Sequence, residues 1–69
     1  MDYLEWIDYL RQRGVISLKL RQDLAHMLRH DNPSVRTQVV IFCKTMEKQH
    51  PELWITYRTT QRILRGVIR

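Results

Sequence analysis

Residues 31–54, DNPSVRTQVVIFCKTMEKQHPELW, contain the two helix boundaries that decide the fold. Asn32 can cap a helix, and Pro33 suits the first helical position because its missing N–H would be unpaired there anyway. The His-Pro-Glu triplet at 50–52 repeats this signal, with proline at the first position and an acidic residue at the positive helix end. The stretch therefore predicts one helix that begins at Pro33 and another that begins at Pro51.

Apolar residues recur at helical spacing in both segments. The helix after Pro33 carries one stripe of four apolar residues, Val35, Val39, Phe42 and Met46. Val40 and Ile41 fall outside that stripe, so this helix is apolar on a second side. A lone helical hairpin has no use for a second apolar side, which favours a dimer.

The helix after Pro51 is predicted to have its own inner stripe. Its members are Leu53, Tyr57, Thr60 and Leu64, with Trp54 and Ile63 at the edges. Gly66 is a plausible end for this helix, although Val67 and Ile68 could extend it.

The first half of the chain is also helical in pattern. Asp2 and Glu5 match a capping box, and the apolar positions that follow are Leu4, Ile7 and Leu10. Ser17 is a second candidate N-cap, followed at helical spacing by Leu20, Leu24, Met27 and Leu28. The sequence leaves open whether Gly14 ends the first helix in the left-handed region or lies inside one long helix.

With 69 residues, the chain is long enough for one small domain. A core of this size supplies about 3–5 kcal/mol, and the single cysteine, Cys43, excludes an internal disulfide. We therefore predict one all-α domain over residues 1–69, formed by an antiparallel helical hairpin plus a C-terminal helix. Two such chains are predicted to dimerise into a core like that of a four-helix bundle.

The charge distribution indicates a polyanionic partner. The net charge is +5, and residues 1–34 contain five basic and five acidic side chains. Residues 35–69 contain seven basic and two acidic side chains, so the second half carries the whole excess. Such asymmetry is typical of a nucleic-acid-binding surface, although a solvated basic face has the same composition.

The last segment concentrates this charge on one helical face. Arg58, Arg62, Arg65 and Arg69 are spaced i, i+4, i+7 and i+11. They span about 16 Å at 1.5 Å per residue, on a face that is predicted to lie away from the inner stripe. Arginine rather than lysine suits forked phosphate contacts, so this line is the main candidate for anion binding.

Two lines on the preceding helix could extend this surface. One contains Arg36, Val40, Cys43 and Glu47, and the other contains Thr37, Lys44 and Lys48. The carboxylate of Glu47 counts against the first line. The predicted anion-binding set is Arg36, Thr37, Cys43, Lys44, Lys48, Arg58, Arg62, Arg65 and Arg69.

Other classes of function have little support in the sequence. His26 and His30 could hold zinc with Cys43 or His50, but no paired cysteines accompany them, so we predict no metal or cofactor. Cys43 has no recognisable catalytic partners, so we predict no enzyme activity and no small-molecule substrate. No apolar run approaches the roughly 18 residues of a membrane span, and the acidic residues near the start argue against a signal peptide. A free thiol favours a reducing compartment.

The second half of the chain resembles a known family. The Asn-Pro-Ser-Val sequence at 32–35, Phe-Cys at 42–43, Gln-His at 49–50, Tyr-Arg-Thr-Thr-Gln at 57–61 and Ile-Leu at 63–64 resemble the small RNA-silencing suppressors of insect-infecting nodaviruses. The similarity covers residues 32–65.

This resemblance implies a viral, all-α homodimer that acts in the host cytoplasm. Such proteins bind double-stranded RNA without sequence preference, shield it from Dicer and sequester small interfering RNA. Carried over by position, Arg36, Cys43 and Arg58 would lie on the RNA face, with Arg62 one turn further along. Two alternatives remain open, namely a small helical DNA-binding regulator and a helical protein-interaction module.

Overall fold

A computed structural model describes the backbone of residues 3–67 and the side chains of residues 3–66. This part of the chain forms four helices and no strand: α1 Tyr3–Gln12, α2 Leu18–Leu28, α3 Pro33–Gln49 and α4 Pro51–Val67. The prediction of an all-α fold is confirmed. Within the described residues, no helix is both long and apolar enough to cross a membrane.

Gly14 ends the first helix, which settles the question that the sequence left open. Its φ is +76°, in the left-handed region that favours glycine. The Gly14 N–H donates to the Arg11 carbonyl at 3.1 Å, and the Val15 N–H donates to the Leu10 carbonyl at 3.0 Å. These two bonds form a Schellman motif, which satisfies carbonyls that the end of α1 would otherwise leave unpaired.

The predicted caps of the next two helices are confirmed. The Ser17 hydroxyl accepts from the Leu20 N–H at 3.1 Å at the start of α2. The Asn32 side chain accepts from the Ser34 N–H at 2.9 Å, with proline at the next position of α3. Each cap satisfies one backbone donor that the first turn of a helix cannot pair. The capping box predicted at Asp2 lies outside the described residues.

A single residue, His50, joins α3 to α4. Its N–H donates to the Met46 carbonyl at 2.9 Å, and its own carbonyl accepts from the Trp54 N–H at 3.0 Å. His50 therefore ends one helix and begins the next, while Pro51 occupies the first position of α4 as predicted.

The core is centred on α1. The buried side chains are Trp6, Ile7, Leu10, Ile16, Leu24, Val39, Cys43 and Tyr57, and they come from all four helices and the α1–α2 connection. The Trp6 indole N–H donates to the Cys43 carbonyl at 3.2 Å. Trp6 thus fixes α1 to α3 by a hydrogen bond as well as by packing.

The predicted inner stripes are partly correct. The stripe of α3 packs against the core as expected, with Val39 buried and Phe42 and Met46 partly buried. Leu20 of α2, by contrast, is 37% exposed. The sequence pattern includes Leu20 because its spacing is helical, but that position is less enclosed than Leu24.

The inner stripe of α4 is correct only as far as Tyr57. Thr60 is exposed and Leu64 is 49% exposed, so both assignments to the inner stripe are wrong for the single chain. The reason is length, since α4 continues for ten residues past Tyr57, or about 15 Å, and its described side chains there are exposed except for the half-buried Gln61. Gly66 does not stop the helix, which runs to Val67.

Replacing Gly14 with alanine should destabilise the fold by about 1 kcal/mol, because a Cβ strains the left-handed backbone. No heavy atom lies within 4 Å of the position that this Cβ would take, so the cost is purely conformational. Gly66→Ala is the matched control, because its Cβ also meets open space but its backbone is helical. Urea melts should show a stability for Gly66→Ala equal to or above that of the parent. Equal stability of Gly14→Ala and parent would contradict the role given to Gly14.

Candidate nucleic-acid interface

The arginine line of α4 is exposed. Arg58, Arg62 and Arg65 all lie at the surface, over about 10 Å of helix. None of the three forms an ion pair with a carboxylate in the described part of the chain. Their charges are therefore free to attract an anion, and like-charge repulsion along the helix is relieved when one binds. Arg69, the fourth predicted member, lies outside the described residues.

Arg58 differs from the other two because it sits beside the core. Its guanidinium carbon lies 5.8 Å from the centroid of the Trp54 ring, within the range of a cation–π contact. Trp54 in turn is half-buried against the core. Arg58 is thus held at a fixed edge of the domain, whereas Arg62 and Arg65 lie on the part of α4 that extends past the core.

The predicted line on α3 faces outward. Thr37, Lys44 and Lys48 are exposed, on the side of α3 away from the buried Val39. The Thr37 hydroxyl donates to the Pro33 carbonyl at 2.9 Å, so its hydrogen is already used within the helix. Lys44 and Lys48 form a second group of positive charges near the C-terminal end of α3.

Arg36 is separated from those lysines. It lies about 18 Å along α3 from Lys48, and its guanidinium donates to the carbonyls of His30 at 2.5 Å and Asp31 at 3.2 Å. These bonds hold the α2–α3 connection against the start of α3. The structure therefore gives Arg36 a role in bracing the connection, and does not bring it together with the basic end of α3.

Cys43 is not a surface residue. Its exposed fraction is 0%, so its thiol cannot touch RNA on the folded chain, and this member of the predicted binding set is wrong. The error has a simple cause: position 43 lies next to Val39 on the buried side of α3, although its spacing from Arg36 suggests a shared face. Burial, with a smaller contribution from the charge of Glu47, raises the pKa of the thiol to about 11.

The other titratable candidates are dispersed. His26 and His30 are both exposed, and within the described residues no group of three His, Cys, Asp or Glu side chains is arranged to hold a metal ion.

Arg21 of α2 forms an ion pair with Asp8 of α1, with 2.6 Å between Nε and Oδ1. The hydrogen bond to Asp8, followed by its charge, raises the pKa of Arg21.

One feature of the surface was missed by the sequence analysis. Tyr9 and Arg13 are in contact, with the guanidinium carbon 5.2 Å from the ring centroid. Trp54 and Arg58 show the same arrangement, and both pairs are an aromatic residue followed four positions later by arginine. This i, i+4 spacing is the signal that could have identified Arg13.

Comparison of the chain with protein-family models, with curated proteins and with solved structures finds no match. The resemblance to the nodaviral suppressors therefore stays a prediction from the motifs at residues 32–65.

The Cys43 thiol should be protected from modification in the folded protein. At pH 8 we expect a thiol reagent to react slowly in native buffer and rapidly in urea, because burial blocks access and disfavours the thiolate. The folded state binds this proton more tightly than the unfolded chain, whose ordinary thiol pKa is 9.0. The corresponding stability is fully present below pH 9 and is lost as the pH rises towards 11. Rapid reaction at pH 8 without urea would contradict the buried position.

Proposed function

We propose that this protein binds double-stranded RNA without sequence preference, through the exposed arginines of α4, and thereby suppresses RNA silencing. The observation that carries this proposal is the set of three exposed arginines, unpaired within the described residues, on a helix that extends beyond its own core. From Arg62 to Gly66 every residue of this helix is exposed. The positive charge and the straight shape of this part of α4 suit the binding of a phosphate backbone.

The geometry favours an RNA duplex read by shape. A-form RNA has a deep, narrow major groove that side chains cannot read, so contacts go to phosphates and 2′-hydroxyls. Guanidinium groups on one straight helical face can follow such a backbone with forked hydrogen bonds. Because none of these contacts reaches a base edge, binding is independent of sequence.

Suppression of silencing follows from covering the duplex. A protein that binds anywhere along double-stranded RNA competes with Dicer for the long substrate and with the silencing machinery for the short product. The resemblance of residues 32–65 to the nodaviral suppressors supports this role. On the same ground we propose that the protein is a viral factor that acts in the host cytoplasm.

We further propose that the active species is a homodimer. Ile55 is 64% exposed and Ile63 is 59% exposed, and they lie two turns apart on the outer side of α4. Neither side chain belongs to the buried core of the single chain, and burial of such side chains yields about 25 cal/mol per Å². A second copy of the chain that packs against these two side chains would bring a second set of basic side chains to the duplex.

The double variant Arg58→Gln/Arg62→Gln should bind RNA duplex at least about tenfold more weakly than the parent, because charge-assisted phosphate contacts are lost. Glutamine keeps helix propensity, so circular dichroism melts should agree with the parent within about 1 kcal/mol. A gel shift at fixed salt, with RNA duplex, DNA duplex and single-stranded RNA in parallel, measures the effect.

The matched control is Lys19→Gln/Arg29→Gln, which removes the same charge from two exposed positions, one in the first turn of α2 and one directly after its last residue. It should lose much less affinity than the α4 variant. Equal losses in the two variants would mean that net charge alone attracts RNA. Tighter binding of the parent to DNA duplex, or to one RNA sequence, would overturn the shape-reading mechanism.

Sedimentation equilibrium should find a dimer at micromolar concentration. Ile55→Gln/Ile63→Gln should shift the protein towards monomer without loss of helical signal, because neither side chain contributes to the buried core of the single chain. Leu18→Gln is the control, since Leu18 is also a half-exposed hydrophobic residue but lies on α2. A parent protein that sediments as a folded 8.5 kDa monomer would refute the dimer.

A further inference from the structure

Four aromatic side chains join α1 to α4 in one continuous cluster. Trp6 lies 4.9 Å from Trp54 and 5.3 Å from Tyr57, measured between ring centroids. Tyr9 lies 6.0 Å from Trp6 and 5.4 Å from Tyr57. Trp6 and Tyr57 are buried, whereas Tyr9 and Trp54 are half-buried at the edges of the cluster. The cluster therefore fixes the relative position of the two rings that reach the surface.

An arginine guanidinium group lies over each of the two rings that reach the surface. Arg13 lies over Tyr9, where its Nε also donates to the Tyr9 hydroxyl at 3.2 Å. Arg58 lies over Trp54. Because the rings beneath them belong to one packed cluster, the two guanidinium groups are held on a common rigid support. An arginine ordered in this way loses less side-chain entropy when it binds an anion.

The charge of Arg13 is also unpaired. It is exposed, and it forms no ion pair with a carboxylate within residues 3–66. The carboxylate on this side of α1 is that of Glu5, which accepts from the Tyr57 hydroxyl at 3.3 Å. Glu5 precedes Arg13 by about two turns of helix, or roughly 12 Å. Arg13 therefore adds an exposed positive charge at the end of α1.

We propose that Arg13 is a phosphate-binding residue of the same RNA surface as Arg58, so that α1 and α4 together contact the duplex. This inference rests on the function proposed above and extends it to the half of the chain whose charges sum to zero. The ligand is the phosphodiester backbone. The Tyr9 ring positions Arg13, and the aromatic cluster sets its place relative to Arg58.

Arg11 provides a control on the same helix. It is exposed and carries the same charge, but it follows Asp8 by three positions and so lies towards the side of α1 that pairs with Arg21 of α2. Substitution of Arg11 and of Arg13 changes the net charge equally. A difference in affinity between variants of equal stability therefore reports the position of Arg13 and not the net charge.

The test compares Arg13→Gln with Arg11→Gln in RNA-duplex titrations at several salt concentrations. We expect Arg13→Gln to weaken binding about tenfold and to reduce the magnitude of the slope of log K against log salt by about one for each protomer. Arg11→Gln should leave the slope unchanged. Tyr9→Phe, which keeps the ring and removes the hydroxyl that Arg13 contacts, should give an intermediate loss of affinity.

The outcomes separate this inference from the proposed function. If Arg58→Gln/Arg62→Gln weakens binding but Arg13→Gln behaves like Arg11→Gln, the RNA-binding function stands and the role of Arg13 is refuted. If the parent does not bind RNA duplex, both are refuted. Circular dichroism melts of the same samples identify any loss that comes from unfolding, and a slope that changes while the melt does not supports the contact.

Discussion

Trp6 is the residue on which the rest of this structure depends. Its side chain is completely buried, contacts aromatic rings of α4 and donates a hydrogen bond to the backbone of α3. Because the indole N–H is satisfied, burial of this large ring carries no penalty for an unpaired donor. A chain of 69 residues has few other ways to hold four helices together. A small core is sufficient here because one side chain of α1 contacts both α3 and α4.

The position of this core determines which charges stay free. The aromatic contacts end at Tyr57, and the arginines that follow on α4 are exposed and form no ion pair within the described residues. Asp8 pairs with Arg21 between α1 and α2, which neutralises charge on the opposite side of α1. The fold thus separates a neutral, packed side from a basic side that extends outward.

The sequence predicted the helix boundaries better than it predicted burial. Caps at Ser17 and Asn32 and the prolines at 33 and 51 act through local chemistry, which can be read from a few adjacent residues. Gly14 remained undecided because a glycine tolerates both an interior and a terminal position. Its conformation is fixed by where the chain must turn, and that depends on the packing of α1 and α2.

The predictions of burial were wrong where burial depends on how far the neighbouring helices extend. Helical spacing places Leu64 in line with Tyr57, but spacing does not say that the neighbouring helices stop before Leu64. The same limit applies to Cys43. Helical spacing puts it in line with Arg36, but Cys43 is buried in the core. The exposed arginines of α4 could be predicted, because four similar charges on one face must avoid a core. Arg13 could not be predicted from charge alone, since its half of the chain has equal numbers of acidic and basic residues.

The bond from Trp6 to Cys43 has a consequence for how this sequence can diverge. The acceptor is a backbone carbonyl, which every amino acid would supply at position 43. That position is therefore constrained by volume and polarity, and alanine or another small apolar residue satisfies both. Position 6 must provide a large ring and an N–H donor at the same point, a combination that among the common side chains tryptophan meets best. Of these two interacting positions, one accepts several small apolar residues and the other requires tryptophan.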